Sequence, residues 1–453
     1  KPARLTWFWR LEDASGRTVI SGEEKTRDVD MSAFFREKVA FTAPKAGGYV
    51  IRCGFRGLRE TSVPVVVSRR EPLAAAPNVI DAKTALSTNL LARAASGETI
   101  VILARENYPE WLPEMMSVTE CSGAILRTFR PSHPVLKGLA ADDLAYFYPR
   151  SIASRHAFMK PTAGNARTIL EFGGPSGLVY ASLVEVPYGK GCFLYSRLVL
   201  EPDANPVAAK LLANMSAYRR TSQSAPALYI AGKDKDLEKA LRVRYGLVLT
   251  HPGAAPGVAR SAVIADGSRT FSQKEIAALE ACGQTGFVFN PGAEFGLKTR
   301  PVRAKEWKGR AVRVGRDPLT DGLTNQDLMW RTKFEDAKTA AADLGAEEFV
   351  TETGALLYPV YAMRRGNFVF LTADPKAYRA SVAPVQKRFW ATLFANAGVK
   401  VTPFERPTLP KNLFYDPVDL TKLLDRTLED EAEDDGRGSW NDQGMAQYLP
   451  MGF

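Results

Sequence analysis

The chain has 453 residues, 45% hydrophobic and 24% charged, with a formal net charge of +10. Those proportions suit globular protein with several cores and exclude a low-complexity chain, and the length sets an expectation of three or four domains. No stretch approaches the roughly 20 apolar residues of a membrane-spanning helix; Lys and Arg are dispersed, never beyond a pair such as Arg69-Arg70 or Arg219-Arg220, so a solvated basic surface accounts for the charge better than a nucleic-acid module, with an acidic polymer as the alternative partner.

Lys1-Pro-Ala-Arg-Leu-Thr-Trp-Phe-Trp leads straight into a strand without the apolar segment of a secretory signal, so a processed protein or the back part of a larger one is expected. Residues 1–68 read as all-β. Short β-rich runs at Trp7–Leu11, Thr18–Ile20, Val39–Thr42, Tyr49–Cys53 and Val63–Val67 are separated by Gly- and Pro-containing turns, a spacing that fits an immunoglobulin-like β-sandwich. Trp7 and Trp9 are expected in its core, with a sugar-stacking platform as the alternative.

A linker at 69–78 precedes a segment with Val79-Ile80, a helical stretch near 82–95 stopped by Gly97, and a buried strand at Ile100–Leu103. A second linker at 219–226 precedes a fuller segment. Here Ala227–Ala231, Leu247–Leu249, Ala262–Ala265 and Phe287–Phe289 read as strands, Leu237–Tyr245 as a helix, and Ser272-Gln-Lys-Glu275 as a capping box that starts the helix at Ile276. Strands and helices alternating in this way predict a parallel sheet covered on both faces.

The two segments repeat one another. His133-Pro-Val-Leu-Lys-Gly-Leu matches Asp317-Pro-Leu-Thr-Asp-Gly-Leu at an offset of 184, and Gly97–Leu103 matches Gly283–Phe289 at 186. Gly191–Tyr195 matches Gly366–Phe370 at 175, and Leu212–Asn214 matches Phe394–Asn396 at 182. Four collinear matches predict tandem domains at 78–220 and 226–402, the first abbreviated because it lacks the opening strand–helix pair. A Pro-rich linker at 403–410 leads to a tail, 411–453. The tail carries an acidic run, Leu428–Asp435, and then Gly436-Arg-Gly-Ser-Trp-Asn-Asp-Gln-Gly444.

Chemistry is sparse. The three histidines, His133, His156 and His251, lack metal-ligand spacing, and no CxxC joins Cys53, Cys121, Cys192 and Cys282, so neither a metal centre nor a disulfide framework is indicated. His133, replaced by Asp317 in the second copy, is expected as a turn cap, and His251 likewise as structural. Gly174-Pro-Ser176-Gly177 has its second glycine one place early for a nucleophile elbow. No pair of carboxylates declares itself as a glycosidase acid and base. The acidic run is expected as a solvated acidic linker, with calcium, which takes the hard oxygen ligands concentrated there, as the alternative.

The patterns HPVLKGL…DDL, VPYGKGCFLYSRL and AAKLLANMSAY resemble the glutamine-amidotransferase-like, flavodoxin-like α/β domains found downstream of the barrel in glycoside hydrolase family 2 and related β-galactosidase-like enzymes. The N-terminal segment is similar to the β-sandwich of those hydrolases, and residues 435–444 resemble the opening of a carbohydrate-binding jelly roll. The resemblance implies a bacterial, non-catalytic C-terminal accessory region working beside a catalytic N-terminal part, on poly- or oligosaccharide, in a periplasmic or extracellular setting. The amidotransferase cysteine is absent after both Ile100–Leu103 and Phe287–Phe289, so no catalytic residue is expected. Scaffolding or homo-oligomer formation would be its work. A free-standing carbohydrate-binding or cell-surface protein is the alternative. There Trp440, Asn441, Asp442 and Gln443 would hold a sugar ring, set against a plain turn with a core tryptophan. A cryptic enzyme between the repeats is the third option.

Overall fold

The computed structural model describes residues 3–30, 38–42, 44–67, 76–114, 116, 118–145, 147, 152–161, 164–174, 177–203, 205–221, 224–253, 260–281, 283–302, 313–328, 347–358, 360–376 and 383–402. The protein is multidomain, sheet-rich mixed α/β, with few helices and no closed barrel among these residues. None of those helices is long and apolar enough to cross a membrane. The chain divides into two compact units, Lys1–Ala74 with Glu201–Ala209, and Ala75–Leu200 with Lys210–Phe453.

In the first unit β1 (Ala3–Asp13) is flanked by β2 (Thr18–Ser21) and β3 (Lys25–Val29) on one edge and β4 (Gly47–Phe55) on the other, with β5 (Thr61–Val67) beyond β4. All pairings are antiparallel. Trp7, Trp9 and Leu11 form the buried core, so the tryptophans pack inward as expected and offer no open platform. A Cβ on Gly22 would fall 1.8 Å from the Trp9 indole nitrogen, so the turn after β2 lies flat on that ring only because the residue is glycine. On the opposite face Phe8 lies under the Arg10 and Arg56 guanidiniums, 5.5 and 4.5 Å from its centroid.

Val39–Thr42, expected as a strand, joins no ladder; Val39 and Phe41 instead pack side chains on the tryptophan core. The strand that pairs there is the polar Lys25–Val29, in register from Trp7↔Lys25 to Ala3↔Val29. An exposed edge strand needs only backbone donors and acceptors, so hydrophobic alternation does not mark it.

The second unit contains two sheets. The first places β6 (Val79–Ile80), β7 (Thr99–Ile102) and, after β8 (Val118–Thr119), β9 (Ala157–Met159), β10 (Arg167–Gly174) and β11 (Gly177–Tyr188), β12 (Gly191–Ser196) in the order β6-β7-β12-β11-β9-β8, with β10 paired to β11. The second contains β13 (Ala227–Ile230), β14 (Leu249–Thr250), β15 (Ala262–Asp266) and β16 (Thr285–Phe289). After β17 (Thr299–Pro301), β18 (Arg313–Val314) and β19 (Glu347–Phe349) come β20 (Ala355–Tyr358), β21 (Ala362–Arg365) and β22 (Phe368–Leu371). Its order is β14-β13-β15-β16-β22-β21-β20-β18, with β17 and β19 paired separately.

Neither sheet is wholly parallel, contrary to the expectation. β6, β7 and β12 are parallel, as are β13 to β16 with β22, and the remaining neighbours are antiparallel. Turns of two residues, Gly189-Lys190 and Gly366-Asn367, close β11 onto β12 and β21 onto β22, with φ of +56° at Gly189 and +59° at Gly366. So short a connection can only reverse the chain.

The helices are α1 (Asn89–Ser96), α2 (Ala141–Ala145), α3 (Pro206–Ala217), α4 (Lys235–Lys239), α5 (Gln273–Ala281) and α6 (Ala383–Asn396). The helix expected from residue 82 begins only at Asn89. The Asp81 carboxylate accepts from the backbone N–H of Lys83 and Thr84 and from the Thr84 hydroxyl, holding a turn that competes with helix. Gly97, at φ +119°, ends α1 as expected. The Ser272–Glu275 capping box is present in both directions.

Matched positions in the two halves do matched work. Gly138 and Gly322, 184 residues apart, take φ of +75° and +83° after their 3₁₀ turns. The ring pairs Phe193–Tyr195 and Phe368–Phe370, offset by 175, stack at 5.9 and 6.0 Å. Among the described residues the first half has no counterpart of β13, β14 and α4.

The halves meet along a seam. Gly322 N–H donates to the Phe129 carbonyl at 2.7 Å, and the Ser132 hydroxyl reaches Asp321 at 3.4 Å. Beneath lie two buried ion pairs, Lys160 with Glu171 and Arg388 with Asp327, every side chain 9% exposed or less.

Candidate ligand crevice at the carboxyl end of the second sheet

The parallel strands of the second sheet run outward from a reversal point. From β13 the chain crosses to β14 on one side; β15, β16 and β22 follow on the other. The reversal lies between β13 and β15, and the loops leaving their carboxyl ends mark the position at which sheets of this topology carry a ligand crevice.

Four segments bring polar side chains to it. β15 ends in Asp266, fully buried at the end of an otherwise apolar strand. Its Oδ1 accepts from Ser268 N–H at 2.9 Å, and its Oδ2 from Asp234 N–H at 2.9 Å and the Ser268 hydroxyl at 2.8 Å. Ser268 Oγ in turn accepts from Lys233 N–H at 2.8 Å, so one carboxylate and one hydroxyl pin the loop after β13 to the loop after β15. Glycine makes the approach feasible. A Cβ on Gly232 would lie 2.3 Å from Asp266 Oδ2, and one on Gly267 would lie 2.6 Å from the carbonyl oxygens of Phe289 and Asn290.

Asp234 caps α4 by accepting from Asp236 N–H at 3.1 Å, while its other oxygen pairs with the Lys376 ammonium. Lys376 is anchored from behind: its N–H donates to Asp374 at 2.8 Å, and its carbonyl accepts from Arg244 at 2.8 Å. Burial pulls the ammonium's pKa down, but the Asp234 hydrogen bond and the charges of Asp374, Asp234 and Asp236 more than reverse it, so the pKa rises. Burial, with the charges of Asp266, Glu238 and Asp234, pushes the Tyr229 phenol up. Asn290 follows β16 at φ +49°, a backbone angle that favours glycine or asparagine, and its N–H holds the Leu371 carbonyl at 2.9 Å.

The crevice therefore collects three aspartates and one lysine whose polar atoms bind one another or the backbone. The Asp234–Lys376 pair, 16% and 31% exposed, is its solvent-facing part. Such a pair can hydrogen-bond hydroxyl groups. Among the described residues no group of three or more His, Cys, Asp or Glu is arranged to hold a metal.

Trp440, Asn441, Asp442 and Gln443 lie outside the described residues, as do the acidic run 428–435, Ser176 and Cys282. The histidines are not brought together as a site. His133 caps the 3₁₀ turn Pro134–Leu136 through Nδ1, which accepts from Val135 N–H at 3.3 Å, leaving Nε2 to donate to Glu185 at 3.3 Å. Asp317 caps the matching turn through Leu319 N–H. His251 packs edge-on against Tyr229 and reaches Glu238 at 3.2 Å. Sequence reasoning missed Asp266 and Lys376. The one local signal was a charged residue with Gly-Ser after it, closing the apolar run Ala262–Ala265.

No family model matches this chain, and no curated protein matches it.

Proposed function

We propose that this chain is the non-catalytic C-terminal accessory region of a large bacterial glycoside hydrolase of the family 2, β-galactosidase-like type, acting as a scaffold beside the catalytic part on poly- or oligosaccharide. In this reading the first unit is the immunoglobulin-like module, and the two halves of the second are degenerate amidotransferase-like domains. The order β14-β13-β15-β16-β22, chain order 2-1-3-4-5, is that of flavodoxin-like sheets and supports the assignment. One observation carries the proposal. At the crevice where such a sheet would hold its ligand, Asp266, Ser268, Asp234 and Lys376 are bonded to one another and to the loop backbones, and Asn290 occupies the turn where an amidotransferase carries its nucleophile.

The test is the complete reading frame, expressed with and without residues 75–402. The intact protein is expected to hydrolyse β-glycosides, the purified chain to hydrolyse none, and the deletion to lose oligomeric assembly by light scattering. A reading frame without a catalytic barrel, or glycoside hydrolysis by the purified chain, would overturn the proposal.

A further inference from the structure

The seam between the halves of the second unit contains a small cleft lined by Arg130, Asn165, Arg167, Arg388 and Thr392 of α6. Its interior is about 10 Å³, the room of one water molecule or one oxygen atom, and it opens to solvent.

The three guanidiniums differ in what holds them. Arg388 pairs with Asp327. Arg130 donates to Asn396 Oδ1 at 3.0 Å, and Arg167 to the Ala395 carbonyl at 3.1 Å, both neutral acceptors at the end of α6. Among the described residues no carboxylate pairs with either. The Nε–H groups of both are buried and find no acceptor among the described residues. Arg130 is 8% exposed and packs on Gly322, where a Cβ would fall 2.6 Å from Nε. Burial first, and then the neighbouring Arg167 charge, lower its pKa to about 10, against the opposing charges of Glu185, Asp321 and Glu171. The backbone N–H groups of Asn165 and Ala166 are already taken by Glu114. Two adjacent cations thus lie at the cleft with neutral hydrogen-bond acceptors and two unsatisfied Nε–H donors, the carboxylates of Glu185, Asp321 and Glu171 acting on Arg130 only through their charge. That arrangement is costly unless an anion offsets it.

We propose that the cleft binds a small oxyanion group (phosphate, sulfate or carboxylate), one oxygen entering between Arg130 and Arg167 and the others facing its mouth. Guanidinium groups suit this class because their planar N–H donors match oxyanion geometry. Because Arg130 and Arg167 belong to the first half and bond the last helix of the second, the anion would also tie the halves together.

Thermal unfolding of the intact chain tests this, with sodium phosphate or sulfate titrated from 0 to about 20 mM against chloride at equal ionic strength, a range in which general salting effects stay small. Phosphate and sulfate are expected to raise Tm saturably by several degrees and chloride not to. Arg167→Gln should abolish the shift, and Arg242→Gln, an exposed arginine on α4's continuation, should keep it. Thr392→Glu, which supplies a tethered carboxylate, should raise Tm without anion and remove the response. Where Arg130→Gln does not fold, Arg167→Gln and Thr392→Glu carry the test. An equal chloride effect, or an unchanged response in Arg167→Gln or Thr392→Glu, overturns the proposal.

Discussion

Asn214 on α3 and Asn396 on α6 do the same work 182 residues apart. Asn214 Nδ2 donates to the carbonyls of Val135 and Lys137 at 3.0 and 2.9 Å, and Asn396 Nδ2 to those of Leu319 and Asp321 at 2.9 and 2.8 Å. Each clamps the 3₁₀ turn of its own half to the helix that ends that half. The adjoining cap pairs correspond with acidic and basic partners exchanged. His133 meets Glu185, and Asp317 meets Arg364; Glu185 and Arg364 lie opposite Leu194 and Val369, positions the 175 offset equates.

Asn396 has a further duty, since its Oδ1 accepts from Arg130. Asn214→Ala is expected to lower stability by about 1–2 kcal/mol, and Asn396→Ala by about 3 kcal/mol because it also strips a buried guanidinium of its acceptor. Urea midpoints by tryptophan fluorescence decide it; equal losses would rule out the added role of Asn396.

Glu185 sets an acid limit. Burial alone would raise its pKa, but the His133 hydrogen bond, with the charges of Arg167, His133 and Arg220, holds it at about 2. A carboxylate with a folded pKa below its unfolded value near 4.5 contributes stability that is present above about pH 4.5 and lost as pH falls toward 2, on the order of 3 kcal/mol in all. Stability of the native chain should fall through that window, and Glu185→Gln should flatten the fall. A variant with an unchanged slope between pH 4.5 and 2.5 would refute this.

Lys160 and Glu171 are both buried, 3% and 2% exposed, and pair directly. Lys160→Met leaves a buried carboxylate without its cation and should cost about 3–5 kcal/mol, whereas Lys160→Met with Glu171→Leu should recover most of it. A double variant no more stable than the single one would show that the pair does more than neutralise itself.

At the crevice, Asp266→Asn turns an amide nitrogen toward N–H or O–H donors and should cost about 2 kcal/mol or more. Gly232→Ala forces a Cβ into the space of Asp266 Oδ2 and should cost a similar amount. The two act on one contact, so the double variant should lose less than the sum of the singles. Additive losses would disprove the latch.

The Trp7 and Trp9 core, the Gly97 stop, the capping box and the His133 cap could be read from the chain because each is local: a pattern of apolar spacing or a cap residue near the groups it satisfies. The crevice was only half legible. The strands and the helix that Asp234 caps could be placed along the chain, but Asp234 meets Asp266 and Lys376 only after strands far apart in sequence align.

The sequence by itself determined a sheet-rich mixed α/β chain and where several of its turns and caps fall, since glycine at positive φ, buried β-rich runs and helix caps are short-range physics. Only the tertiary structure decided that the sheets are mixed, that Lys25–Val29 is an edge strand, and that Arg130 and Arg167 come to the end of α6 with neutral hydrogen-bond acceptors. Those outcomes depend on backbone pairing and on the burial of charge between distant segments. Neither leaves a periodic mark on the chain.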